Sequence, residues 1–285
     1  MDDIRIAVAQ ISPILGEVHR NLGMHLDIIQ RAVQDKMQLV CFPELSLTGY
    51  VLKDLVPQVA IGAREDDPVM KQLLQASCDI DILCGFVEED ARHRYYIAAA
   101  YLSQGTILHV HRKVYLPTYT MFEEGRYLAH GDSIRAFDTQ FGRVGVLICE
   151  DFWHMSSAYA LWLDGADMLL LTSASPGRGL SPDAALGSSR SVELVNQMYA
   201  TFLTNYVVHC NRVGFEDGLN FWGGSTVFGP DGSLVVQAPY FEPILLQATL
   251  DWRALRRVRV QLPLLRDERP DLLQRELDRL RGTVS

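Results

Sequence analysis

Three side chains of different chemistry follow short runs of apolar or β-branched residues in this sequence. They are a carboxylate at Glu44, an ammonium at Lys113 and a thiol at Cys149. In α/β sheets, ligands bind outside the carboxyl ends of the strands. A positioned carboxylate can take the proton of a nucleophilic thiol, and a fixed ammonium can stabilise the charge that develops on an attacked carbonyl oxygen. The three residue types therefore indicate nucleophilic catalysis by a cysteine.

Each of these residues also has a structural explanation when it is considered alone. A glutamate beside a proline is more often an ion-pair partner, a lysine after a strand is usually solvated, and a cysteine in an apolar run is usually a core residue. Lys113 is still an unusual choice, because the chain has four lysines against 22 arginines. His109 and His111 alternate on one predicted strand, but no third ligand follows at a recognisable spacing, so we expect no metal site.

The elements that must position these residues alternate between short β-branched runs and longer amphipathic stretches. This pattern predicts an α/β fold with helices covering the sheets. Turn sequences at residues 104–105, 141–142 and 229–232 predict antiparallel hairpins, so we expect an αββα sandwich of two mixed sheets. The predicted strands are 4–10, 39–42, 80–87, 97–103, 106–110, 134–138, 143–149, 168–172, 206–210, 225–228, 234–237 and 244–250. The predicted helices are 21–36, with Asn21 as its N-cap, 68–78, 156–165, 184–205 and 271–281.

Composition narrows the class of protein. The 285 residues carry a formal charge of −9, which disfavours binding to nucleic acid or to anionic lipid. The apolar runs are far shorter than the roughly 20 residues that a membrane-spanning helix needs, and the N-terminus lacks the pattern of an export signal. The five cysteines form no Cys-x-x-Cys pair, which indicates free thiols in a reducing compartment. We therefore expect a cytoplasmic protein.

Three motifs occur in a fixed order along the chain. They are residues 42–50 (FPELSLTGY), 112–117 (RKVYLP) and 148–153 (ICEDFW). Together they resemble the Glu-Lys-Cys triad of the nitrilase superfamily of carbon–nitrogen hydrolases, and the resemblance extends from residue 6 to residue 272. Within that superfamily the sequence is most similar to the glutaminase domain of glutamine-dependent NAD synthetase. That similarity rests on residues 116–126, 149–153, 173–176 and 223–225.

The resemblance implies a role for individual residues. Glu44 would be the base, Lys113 the cation that stabilises the oxyanion, and Cys149 the nucleophile. Glu124 would be a second glutamate that orients the lysine and the substrate, and the backbone N–H of Glu150 would be a second oxyanion donor. The candidates for substrate contact are Tyr50, Tyr119, Trp153 and Ser175. The resemblance also implies no cofactor, and a nitrilase-like αββα sandwich that pairs into an αββα–αββα dimer or a higher homo-oligomer.

For the reaction, we expect an amidohydrolase that cleaves the non-peptide C–N bond of a small amide with water. A cysteine thioester would form, and ammonia and a carboxylic acid would be released. The same triad could instead hydrolyse a nitrile or an N-carbamoyl compound, or transfer an acyl group to an amine. A different class is an ammonia-supplying glutaminase subunit that acts through a partner synthetase. A non-catalytic module would be expected to lack a triad residue, and none is missing.

The domain organisation is expected to be simple, with residues 1–285 forming one carbon–nitrogen hydrolase domain. The sequence ends at Ser285 without an ATP-dependent synthetase domain, and residues 177–183 depart from the pattern of the NAD synthetase family, so glutamine is not fixed as the substrate. Residues 251–285 contain nine of the 22 arginines. We expect them to form a C-terminal extension that is either a solvated charged helix or a segment packed on a partner subunit. The helices predicted at 156–165 and 184–205 are candidates for the dimer face.

Overall fold

The computed structural model describes residues 3–177 and 187–282, which form two sheets covered by helices. The strands are β1 (Ile4–Gln10), β2 (Leu39–Cys41), β3 (Asp81–Glu89), β4 (Tyr95–Ser103), β5 (Thr106–Arg112), β6 (Phe137–Thr139), β7 (Gly142–Ile148), β8 (Met168–Ser173), β9 (Tyr206–Asn211), β10 (Val213–Glu216), β11 (Leu219–Trp222), β12 (Thr226–Phe228), β13 (Leu234–Gln237) and β14 (Ile244–Leu250). The helices are α1 (Val18–Gln34), α2 (Val56–Val59), α3 (Pro68–Ala76), α4 (Glu124–Tyr127), α5 (Met155–Leu163), α6 (Gly187–Leu203), α7 (Trp252–Gln261), α8 (Leu264–Asp267) and α9 (Pro270–Gly282), and 3-10 turns occupy Lys53–Leu55 and Cys149–Trp153.

The two sheets are built alike. The first has the strand order β14-β1-β2-β3-β4-β5, and the second has the order β13-β12-β9-β8-β7-β6. In each sheet three neighbouring strands run parallel, β1-β2-β3 in the first and β7-β8-β9 in the second, and the outer pairs are antiparallel. Strands β10 and β11 form a separate antiparallel hairpin. Because parallel strands all end at the same edge of a sheet, the loops that follow β2, β7 and β8 can meet.

Apolar side chains fill three layers. Alternate residues of β1, β7, β8 and β9 point between the two sheets, where Val8, Val146, Leu170 and Val208 are fully or almost fully buried. Helices α1 and α3 cover the outer face of the first sheet, and α5 and α6 cover that of the second. This is the αββα sandwich predicted from the sequence, and the three predicted hairpins β4-β5, β6-β7 and β12-β13 are also confirmed.

Several local predictions differ from the structure. The hairpin β10-β11 and helix α7 were not expected from the sequence pattern. Asn21 is not an N-cap: α1 begins at Val18, and the Asn21 side chain hydrogen-bonds Ile14 and the carbonyl of Leu47. The first residues of the helix predicted at 184–205, and residues 178–183 of the divergent segment, lie outside the described residues.

The C-terminal extension attaches to the sandwich at one end and is exposed at the other. Trp252 and Leu255 of α7 are buried in the core, and the Arg259 guanidinium donates to Asp167 and Asn205. Helix α9, in contrast, contains no buried residue. Within residues 3–177 and 187–282, no helix is both long and apolar enough to cross a bilayer.

Candidate active site

A buried lysine joins two carboxylates at the carboxyl edge of the sheets. The Lys113 Nζ donates to Glu44 Oε1 and to Glu124 Oε1, at 2.8 Å in both cases. The Tyr50 hydroxyl donates to the same Glu124 oxygen over 2.7 Å. At most 1% of the surface of Glu44 and of Lys113 is exposed, and Glu124 is also buried. The structure thus brings four of the predicted site residues into one hydrogen-bonded cluster.

The position of Glu44 is fixed from both sheets. It lies in the loop after β2, which is tied to β3 by hydrogen bonds from Phe42 N to Leu83 O and from Leu47 N to Gly85 O. Its second carboxylate oxygen accepts the backbone N–H of Ala174, which follows β8 of the other sheet, over 2.8 Å. Both oxygens of this carboxylate therefore have a donor, and their direction is set by backbone that is itself hydrogen-bonded.

Cys149 begins the 3-10 turn that follows β7, where the sequence pattern had predicted the end of the strand. Its φ of +47° lies in the left-handed region, which costs a residue with a side chain about 1–2 kcal/mol. Such strain occurs at functional sites where the surrounding structure holds it in place. The thiol is largely buried, with 8% of the residue exposed. The next N–H, that of Glu150, belongs to the first turn of the helix, where backbone donors lack partners within the helix.

The charges of the cluster act on one another and on the thiol. Burial acts to lower the pKa of Lys113, but the Glu124 and Glu44 carboxylates raise it well above its ordinary value. Burial and the charge of Glu44 raise the pKa of the Cys149 thiol well above its ordinary value, against the opposite effect of Lys113. Burial also raises the pKa of Glu124 to about 7, although Lys113 opposes it. At neutral pH the site therefore contains a protonated lysine and a neutral thiol.

The four candidates for substrate contact occupy different places. Tyr50 belongs to the cluster and lines a cavity of about 90 Å³ together with Glu124. The exposed Tyr119 donates its hydroxyl to Glu150 Oε2 over 2.7 Å. Trp153 ends the 3-10 turn with its ring substantially exposed, and the Ser175 N–H donates to Asn211 Oδ1 over 2.9 Å. None of these last three lines that cavity, whose walls include Leu45, Leu52, Val56, Ile97, Phe122, Tyr127 and Leu128.

Sequence reasoning missed several residues that build this site. Glu216 of β10 accepts the N–H groups of Tyr50 and Val51 and is ion-paired with the buried Arg212, so this pair holds the loop that carries Tyr50. Asp151 accepts four hydrogen bonds at the turn that carries Cys149. The motif ICEDFW contained Asp151, but nothing in the spacing of the sequence indicated its partners.

The two histidines of β5 contact an aromatic ring and a carboxylate. His109 stacks on Phe137, with the ring centroids 4.4 Å apart, and His111 contacts Asp151. In the part of the chain that the structure describes, no group of three or more His, Cys, Asp or Glu side chains is placed to hold a metal ion.

Comparisons with known proteins extend over most of the chain. The family model for carbon-nitrogen hydrolase matches residues 5–260. A glutamine-dependent NAD(+) synthetase from Acinetobacter baylyi is 32% identical over 251 residues, which are 88% of this chain and 45% of that protein. A citrullinase from Francisella tularensis is 28% identical over 281 residues, which are 95% of this chain and 97% of that protein. The crystal structure of a carbon-nitrogen hydrolase from Helicobacter pylori G27 has the same fold, with a TM-score of 0.86 at 23% identity over 96% of this chain and 98% of that chain.

These matches differ in how much of each relative they cover. The chain spans about half the length of the NAD synthetases that it matches, whereas it matches the citrullinase over nearly its whole length. The family model covers all three sequence motifs and, except for Ile4, all residues of both sheets. The chain therefore belongs to the carbon–nitrogen hydrolase family of the nitrilase superfamily, a family of enzymes.

Proposed function

We propose that this enzyme hydrolyses a small, non-peptide amide through a thioester on Cys149 and releases ammonia before the carboxylic acid. The observation that carries the proposal is the buried cluster in which Lys113 is shared by Glu44 and Glu124 and acts electrostatically on the Cys149 thiol. This arrangement supports the proposal, because nucleophilic catalysis by a thiol needs a base and a cation beside the nucleophile.

The first half of the reaction forms the thioester. The Cys149 sulfur attacks the amide carbon while its proton passes to Glu44, because a thiol with a raised pKa is not ionised beforehand. The oxyanion that results is stabilised by Lys113 and by the N–H of Glu150, and the loss of one such donor typically costs about 3 kcal/mol. Glu44 then gives the proton to the leaving nitrogen, the C–N bond breaks, and ammonia departs.

The second half of the reaction hydrolyses the thioester. Glu44, again a carboxylate, takes a proton from a water molecule while the oxygen of that water attacks the carbonyl carbon of the thioester. The same two donors stabilise the second oxyanion. When the C–S bond breaks, the sulfur recovers a proton from Glu44, and the acid product leaves the enzyme in its starting state.

Replacing the nucleophile tests this proposal directly. We expect Cys149→Ala to abolish ammonia release, and Cys84→Ala to preserve it, because Cys84 is a buried core thiol of β3 hydrogen-bonded to Ala100 O. Mass spectrometry of wild-type enzyme quenched during turnover should find an acyl adduct on the peptide that contains Cys149. Undiminished turnover by Cys149→Ala, or an adduct that persists in that variant, would contradict the mechanism.

The substrate is best identified by a panel that covers the open alternatives. Primary amides, ω-amides of dicarboxylic acids, N-carbamoyl compounds and nitriles should be supplied to the wild type and to Cys149→Ala, and released ammonia should be measured. The citrullinase relative supports the inclusion of ureido compounds. We expect an amide to be turned over fastest. Faster turnover of a nitrile or an N-carbamoyl compound would move the assignment to that class with the same triad.

A second candidate function is delivery of ammonia to a partner synthetase. The similarity to glutamine-dependent NAD(+) synthetases supports it, because the chain matches about half of each. This function predicts slow glutamine hydrolysis by the isolated chain and stimulation when a synthetase and its substrates are added. Rapid hydrolysis of an amide by the chain alone, without such stimulation, would favour a free-standing amidase.

For assembly and location, we propose a cytoplasmic homodimer that pairs through α5 and α6. Leu194 and Phe202 of α6 are about two-thirds exposed, and so is Met155 of α5, so both helices present large apolar side chains that a partner subunit could cover. Phe202→Asp should then give a monomer in sedimentation experiments, whereas Phe215→Asp on the β10-β11 hairpin should not. A wild-type monomer would rule this face out.

We also propose that the C-terminal extension, residues 251–285, packs on the partner subunit. Helix α9 exposes Leu273, Leu277 and Leu280 at helical spacing, and an isolated helix of this length is marginally stable in water. The extension carries nine arginines, whereas the chain as a whole has a charge of −9. Leu277→Glu should weaken the dimer, and a dimerisation constant equal to that of the wild type would refute the packing.

A further inference from the structure

One buried carboxylate lies between the segments that carry the lysine and the nucleophile. Asp151, two residues after Cys149, is fully buried and accepts four hydrogen bonds. The donors are Val114 N at 2.9 Å, Tyr115 N at 3.0 Å, Ile148 N at 3.1 Å and His111 Nε2 at 2.8 Å. Burial acts to raise the pKa of Asp151, but the hydrogen bonds and charge of His111 and the backbone N–H groups hold it below its ordinary value, so the side chain is a carboxylate.

In the sequence, the four donors lie close to Lys113 or to Cys149. His111 precedes Lys113 by two residues, and Val114 and Tyr115 follow it directly. Ile148 precedes Cys149 directly. Lys113 follows β5, the edge strand of the first sheet, whereas Cys149 follows β7 of the second sheet, so no strand pairing joins the two segments. The Asp151 carboxylate joins them by hydrogen bonds instead.

We propose that Asp151 is a positioning residue that fixes the Lys113 ammonium relative to the Cys149 thiol and the Glu150 N–H. The two oxyanion donors come from different sheets, so their separation depends on how the sheets are joined at this edge. The bond from Ile148 N to Asp151 Oδ2 also closes the turn in which Cys149 has a positive φ. This inference rests on the proposed function, in which Cys149 is the nucleophile and Lys113 stabilises the oxyanion.

Asp151→Asn is the primary test, because the amide has the same shape as the carboxylate. Its oxygen can still accept from Val114 and Tyr115, but its nitrogen faces the Ile148 N–H, so the turn loses an acceptor. Misplacement of a reacting group by about 1 Å can cost about 10²-fold in rate. We therefore expect kcat to fall by about 10²-fold while KM changes less than threefold, because the oxyanion forms only after the substrate binds.

Asp81→Asn is the matched control. Asp81 is also a buried carboxyl group, and it accepts from the Tyr101 hydroxyl, the Ser103 hydroxyl and the Gln140 amide at the opposite end of β3. Its replacement should lower the unfolding temperature as Asp151→Asn does, but leave kcat within twofold of the wild type. If Asp151→Asn also keeps kcat within threefold of the wild type, the residue is merely structural and the proposal is overturned.

A second pair of variants keeps the test decisive if Asp151→Asn does not fold. His111→Phe removes one of the four donors and keeps a ring, whereas His111→Gln retains an amide donor. We expect kcat to fall five- to tenfold in the first and to be largely restored in the second. Equal, wild-type rates in both would overturn the proposal. Cys149→Ala separates the two levels of inference: activity in that variant sinks the proposed function, whereas its inactivity beside a fully active Asp151→Asn sinks only the role of Asp151.

Discussion

Gly85→Ala is a sharp test of how the fold positions Glu44, the proposed base. Gly85 lies in the middle of β3, beside the loop that carries Glu44. A Cβ at this position would lie 2.5 Å from Pro43 O, 2.6 Å from Leu45 N and 3.0 Å from Glu44 Cα. Since nonbonded heavy atoms prefer separations of about 3.5–4.0 Å, the methyl group must displace this backbone by about 1 Å. Hydrogen bonds tie residues 42 and 47 to β3 on both sides of the contact, so the loop between them must distort.

That distortion has two measurable consequences. Overpacking typically costs about 1–3 kcal/mol of stability, and a displacement of about 1 Å at a catalytic group can lower turnover about 10²-fold. Urea unfolding and kcat on the preferred amide measure the two effects separately. Gly23→Ala is the control, because a Cβ there meets nothing within 4 Å in helix α1 and should add about 0.5–1 kcal/mol. Wild-type turnover by Gly85→Ala would refute this account of how Glu44 is held.

Three further predictions concern the buried charges. Lys113→Met should abolish turnover and lower the free energy of unfolding by about 3–5 kcal/mol, because it leaves the carboxylates of Glu44 and Glu124 buried without their cation. Adding Glu124→Gln to this variant should recover part of the stability, measured by urea unfolding, but none of the activity. Glu124→Gln alone should remove a pH dependence of stability. Burial in the folded state raises the pKa of Glu124 from 4.5 to about 7, so the wild type loses stability as the pH rises through that interval. Between pH 5 and pH 8 the stability of the variant should therefore rise by about 2–3 kcal/mol relative to the wild type, and parallel stability curves would contradict this. Arg212→Met should lower the free energy of unfolding by about 3–5 kcal/mol, because it leaves the Glu216 carboxylate buried without its cation. It should also increase proteolysis of the loop that Glu216 holds, and an unchanged cleavage rate would show that the ion pair does not order this loop.

The layered fold could be predicted because apolar periodicity reports which face of an element is buried. It failed where the local signal was weak or conflicting. Strand β10 contains Gly214 in a positive-φ conformation, which is not typical of a strand. The sequence of α7 resembles a solvent-exposed charged segment because of its arginines, although Trp252 and Leu255 are buried. Asparagine is a favoured N-cap residue, but the side-chain amide of Asn21 hydrogen-bonds a distant loop. Tertiary hydrogen bonds of this kind leave no local pattern.

Only part of the candidate site could be predicted, again because tertiary contacts leave no local pattern in the sequence. Glu44, Lys113 and Cys149 each follow a strand, so their positions could be read from the sequence, and Glu124 was found only through the family resemblance. The groups that aim them could not be found, because their roles exist only across the two sheets. Ala174 contributes a backbone N–H that any residue except proline would supply, and Gly85 matters for the space that it leaves free. Neither property depends on a chemically distinctive side chain.

The charges of the cluster constrain which residue can move the proton. Burial acts to lower the pKa of Lys113, but Glu124 and Glu44 raise it well above its ordinary value, so the lysine stays protonated at neutral pH. In the proposed mechanism the lysine therefore acts as a fixed charge, not as an acid or a base. The neutral Cys149 thiol cannot act as a preformed thiolate. In the proposed mechanism, proton transfer therefore accompanies the attack on carbon, and Glu44, whose second oxygen is held by Ala174 N, receives the proton. The free enzyme should accordingly react slowly with iodoacetamide at pH 7, and rapid alkylation of Cys149 would show that the thiolate already exists before the substrate binds.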